Sequence, residues 1–140
     1  MRFIAAVLLG LYTYVIGLLT LANTSEVVRA FAVTDRFYAL TEAQANVALF
    51  VPAGFLLTIV ALRPLLAVAA CLVGSIAIEW VQLEYLTTRV ADASDVMHNG
   101  LGGLIGAVVA APLAWLVGRS LRNRRRAVTP PPAQPLSRAA

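Results

Sequence analysis

The chain alternates long apolar stretches with short polar ones. From Phe3 to Ala22 there is no charged residue, and an apolar run of this length, wound as a helix, crosses a hydrocarbon core of about 30 Å. Three more stretches follow, at about 46–62, 64–84 and 96–117. The second is only just long enough to cross, and the third carries Glu79 and Gln82 near one end. This pattern predicts an all-α fold, an integral membrane four-helix bundle over residues 1–118. Residues 119–140 form a basic, proline-rich tail.

Composition excludes a soluble alternative. With 140 residues, 60% of them hydrophobic and 13% charged, and a mean hydropathy of +0.81, the apolar surface is too large for one small water-facing core. Arg2 followed by an apolar run is also how an export signal begins. The run is too long for one, and Thr20-Leu21-Ala22 is a poor cleavage site, so the first segment is expected to remain as a span.

Charge orients the bundle. The positive residues are all arginines, and Arg119, Arg122, Arg124, Arg125 and Arg126 follow the last apolar stretch directly. The excess of positive charge on cytoplasmic loops places that end inside. An even number of spans then puts both termini in the cytoplasm, together with the Arg63-Pro64 turn. Glu26, Asp35, Glu42, Glu79, Glu84, Asp92 and Asp95, all the acidic residues of the chain, fall outside. The chain reads as a multi-pass protein of the cell membrane. Its partners are the lipid bilayer and, at the five clustered arginines, anionic lipid headgroups, worth about 1 kcal/mol per residue near the surface. Five arginines gathered beside a membrane helix, in a chain of net charge +4, do not call for nucleic acid. After Val128, TPPPAQPLSRAA is expected to be disordered. The single cysteine, Cys71, allows no disulfide within the chain.

Small residues mark how the helices meet. Gly102, Gly106 and Ala110 recur every fourth residue, a packing face on which backbones approach closely. Asp95 and Asn99 extend that stripe outward. Asn46, Phe50 and Gly54 form a second stripe, and Ser75, Glu79 and Gln82 a third; the three converge on one outer pocket. Pro52 and Pro112 are expected to kink the second and fourth helices. Residues 23–45, with Val27, Val28, Phe31 and Val33, suggest a short helix lying on the outer surface.

The polar residues between Glu79 and Asn99 are the candidate chemistry. Glu79 lies about one turn inside its helix end, where an unpaired charge is costly. One reading pairs it with Arg89 and hydrogen-bonds it to Gln82 and Asn99 as a latch between helices. The other makes it a ligand-facing acid or base. Asp92 or Ser94 can cap the fourth helix, with Asp95 in its first turn. Glu79, Asp92, Asp95 and His98 offer metal-ligating atoms, but no metal or cofactor is assigned. There is no Walker A loop, serine elbow or zinc spacing.

The series Asn46, Phe50, Pro52, Gly54, Glu79, Gln82, Arg89, Asp92, Asp95, Asn99, Gly102 and Gly106 resembles the VanZ-like family of small bacterial membrane proteins. The run RVADASDVMHNGLGGLIG carries most of the likeness and FVPAGF a weaker part, within about Asn46 to Ala107. The resemblance implies a link to resistance against the glycopeptide antibiotic teicoplanin. It marks Asn46, Glu79, Gln82, Arg89, Asp92, Asp95 and Asn99 as candidate ligand-binding residues, and Gly54, Gly102 and Gly106 as packing positions.

Three roles remain open. In the first, a cell-envelope protein uses its outer polar pocket to engage a lipid-linked cell-wall molecule or another amphiphile. In the second, a membrane enzyme uses Glu79 with Asp92 or Asp95, as acid and base or as divalent-ion ligands, on a lipid-phosphate or glycan substrate. In the third, the polar cluster is purely a structural latch.

Overall fold

A computed structural model of the chain describes residues 1–21, 42–85 and 93–128. Four helices account for nearly all of them: α1 (Arg2–Leu21), α2 (Glu42–Ala61), α3 (Pro64–Tyr85) and α4 (Ala93–Val128). There is no strand among the described residues, and all four helices are long and apolar enough to cross a membrane. The expected surface helix within 23–45 falls mostly outside the described residues, as do Arg89, Asp92 and the tail after Val128.

Outward-facing side chains are those of a protein solvated by lipid. Phe3 is 81% exposed and Leu65 85%, and Leu11, Val73, Ile76, Leu83, Val108 and Val109 are exposed as well. An apolar surface this extensive would drive association in water. The interior is built from small residues, with Ala67, Ala107, Ala110, Ala114 and Ser75 buried, because lipid tails are as apolar as leucine and close backbone approach does the holding.

Helices α2 and α4 form the most extensive pair. A methyl group on Gly54 would strike the backbone of Gly103; one on Gly102 would strike the carbonyl of Val47, and one on Gly106 that of Val51. Gly103 also fits against α3, where a Cβ would come within 2.7 Å of the Cys71 Cβ. Helix α4 is thus wedged between α2 and α3 with glycines on both flanks. Pro52 and Pro112 both lie inside helices that run on without interruption.

Helix α1 docks through the stripe Ala5, Leu9, Tyr12, Ile16 and Thr20. Ala5 and Ile16 are buried, and the Tyr12 hydroxyl donates to the Leu49 carbonyl at 2.7 Å. At its first turn Arg2 donates from Nε and a terminal nitrogen to the Val60 carbonyl, at 3.0 and 2.6 Å. That carbonyl is one of those a helix C-terminus leaves without a partner, and a cation beside it also suits the negative end of the helix dipole.

The connection from α2 to α3 is short. Leu62 has a φ of 57°, the left-handed conformation that closes many helices, and its N–H donates to the Thr58 carbonyl at 2.8 Å. Pro64 opens α3 at the position where a missing N–H costs nothing.

Two helix limits differ from those the apolar pattern marks. Helix α2 begins at Glu42, ahead of Asn46. Helix α4 continues to Val128, so no break in the helix falls at residue 118. Arginine, leucine and alanine are good helix formers, and the helix outlasts its own hydrophobicity.

Candidate functional site

The helix order sorts the charges. Arg2, Arg63, Arg119, Arg122, Arg124 and Arg125 all belong to the end where α2 finishes and α3 begins; Glu42, Glu79, Glu84 and Asp95 belong to the other. At this acidic end α1 and α3 finish and α2 and α4 start. Three side-chain amides cross between helices there.

Asn46, in the second turn of α2, donates through Nδ2 to Asp95 Oδ1 at 2.8 Å. Asp95 stands in the first turn of α4, where a carboxylate meets the positive end of the helix dipole. One turn deeper, Asn99 donates through Nδ2 to the Ser75 hydroxyl of α3 at 2.8 Å. Gln82, near the end of α3, donates through Nε2 to the Thr20 carbonyl of α1 at 2.8 Å. These bonds tie α2 to α4, α4 to α3, and α3 to α1. Asn99 and Gln82 are only 6% and 4% exposed, and a polar group so buried needs a partner.

Glu79 is half-buried one turn outward from Ser75 on α3, and it has a polar partner of its own. Glu84 is exposed. Arg89 and Asp92 lie in the segment between α3 and α4, outside the described residues. Two atoms of α4 are buried with no hydrogen-bond partner: His98 Nδ1 and Asn99 Oδ1. Successive residues are about 100° apart around a helix, so these two do not share a face. Among the described residues, no group of three His, Cys, Asp or Glu side chains is placed to hold a metal ion.

The contribution of α1 is the part the motifs miss. Thr20 enters through its backbone carbonyl, which no side-chain pattern reveals. Its face was available nonetheless, since Tyr12, Ile16 and Thr20 recur every fourth residue along the helix.

No curated protein and no solved structure matches the chain. The VanZ/LLP1 family model does match, over residues 4–118. It reaches well beyond the Asn46 to Ala107 stretch that carries the resemblance, taking in nearly all of α1, and it stops just before the first arginine of α4. The match therefore spans all four helices and the amide bridges that join them, and the chain belongs to the VanZ/LLP1 family of membrane proteins.

Proposed function

We propose that this multi-pass membrane protein serves the cell envelope by engaging a lipid-linked or amphiphilic molecule at its acidic, outward-facing end, with both termini in the cytoplasm. The observation that carries this reading is the meeting of all four helices at one polar cluster, Asn46, Asp95, Asn99, Ser75, Gln82 and Thr20. Polar groups this far inside apolar helices are costly and mark function by default. The segregation of arginines to the opposite end supports the orientation. There the Arg119 guanidinium lies 5.4 Å from the centre of the Trp115 ring, an aromatic-cation pair suited to a headgroup layer that is anionic.

Through its family the reading extends to glycopeptide antibiotics of the teicoplanin type. The test is to express the parent chain in a teicoplanin-sensitive host and compare Asn46→Ala, Glu79→Ala and Asp92→Ala. The parent should raise the inhibitory concentration, and variants that insert and fold normally should lose that gain. Folded variants that keep the full phenotype would sink the pocket reading.

The bonds Asn46 to Asp95 and Asn99 to Ser75 also favour a second reading, in which these groups serve one another as a latch. Under it every substitution that matters would prevent folded protein from accumulating, and none would be folded yet inactive.

A further inference from the structure

The amide of Asn99 is half used. Its Nδ2 is satisfied by Ser75, but Oδ1 is buried with no partner, and the side chain is 6% exposed. A buried carbonyl oxygen left without a donor is destabilising, a loss that a ligand N–H or O–H would recover. Moving outward by one turn, about 6 Å, the same stripe of α4 carries Asp95, whose Oδ1 already accepts from Asn46. On the facing stripe of α3, Glu79 stands one turn outward from Ser75. Glu79 has a polar partner of its own; the groups that face the proposed ligand are Asn99 and Asp95. From the outer end inward, this stripe of α4 thus presents a carboxylate, then a neutral acceptor.

We propose that this end of the bundle receives a primary ammonium group at headgroup depth, with Asn99 Oδ1 as its buried acceptor and the Asp95 carboxylate supplying opposite charge one turn above. The inference rests on the reading of an outer polar pocket and narrows its ligand to amine-bearing amphiphiles. A phosphate would face the Asp95 charge and find no donor at Asn99 Oδ1. A quaternary ammonium carries the right charge but no N–H to give. The concentration of described acidic residues at this end adds a field that favours cations.

The full chain, reconstituted in vesicles of equal parts phosphatidylethanolamine, phosphatidylcholine and phosphatidylglycerol, would be extracted and its retained lipid weighed by native mass spectrometry. One charge-assisted hydrogen bond predicts about tenfold enrichment of phosphatidylethanolamine over phosphatidylcholine. Asn99→Leu should bring the ratio to about one, whereas Asn99→Asp, which keeps an acceptor, should hold it. Should Asn99→Leu fail to fold, Asp95→Asn serves instead. It keeps an oxygen for Asn46, removes only the charge, and should lower the ratio several-fold.

Added ethanolamine separates the sources of the amine. Displacement of the lipid assigns the ammonium alone, and resistance to displacement assigns the whole aminolipid; either supports the proposal. Bound lipid with equal retention of the two zwitterionic headgroups, or preference for phosphatidylglycerol, overturns the ammonium inference and leaves the pocket standing. Absence of any bound lipid overturns the pocket reading with it.

Discussion

Gly54 and Asn46 lie two turns apart on α2 and hold the same neighbour in different ways. Gly54 lets its backbone touch that of Gly103, while Asn46 spends one hydrogen bond on Asp95. Within membranes, interhelical hydrogen bonds average about 0.6 kcal/mol, whereas forcing an extra methyl group into a packed interface costs about 1–3 kcal/mol. Gly54→Ala should therefore lower the detergent melting temperature more than Asn46→Ala does, and a reversed order would show that polar bonds dominate this crossing. The four-residue spacing of Gly102 and Gly106 made their face legible in the sequence. Gly103 was not legible, because its role depends on α3 passing on the other flank of α4, and spacing along one helix does not say how many neighbours it has. The orphaned oxygen of Asn99 was equally hidden. A sequence shows an amide, but not which of its two arms is used.

At the level of the helix, α1 is held at both ends and in the middle: by Arg2 on Val60, Tyr12 on Leu49 and Thr20 on Gln82. Its apolar length announced a span, but its attachment did not show, since two of these three bonds end on carbonyls contributed by α2. Replacing Arg2 by Ala removes both the donor and the charge at the C-terminus of α2, worth about 0.3–1 kcal/mol. Hydrogen exchange in the last turn of α2 should then speed up by a few-fold, with α3 unaffected; equal rates would mean that water or lipid satisfies Val60 as well. The Arg63-Pro64 turn was readable from proline alone. The left-handed Leu62 before it was not, because leucine carries no preference for that conformation. Its side chain packs on the cluster of Ala5, Ile59, Ala110 and Ala114, which explains why a glycine, the usual choice, is absent.

For the whole molecule, orientation can be read with single thiols, because the native Cys71 is buried. Glu84→Cys and Arg124→Cys place probes at exposed positions on opposite ends. In intact cells an impermeant maleimide should label the first and spare the second; the converse pattern would invert the proposed topology. Helix count and charge asymmetry, the two features that support the proposed topology, were both visible in the apolar runs and the all-arginine positive charge. The length of α4 was not, since hydropathy ends at Val117 while the backbone has no reason to stop there. Beyond Gly118, where the family match ends, its last turns advance about 1.5 Å per residue. Measured along the helix axis from Gly118, Arg119 and Arg122 therefore lie within about 8 Å, the screening length in physiological salt, and Arg125 lies beyond it. Neutralising Arg119 or Arg122 should weaken adhesion to anionic vesicles more than neutralising Arg125. On the proposed contact with anionic headgroups, helix α4 is a graduated rod, along which the pull of the membrane fades residue by residue.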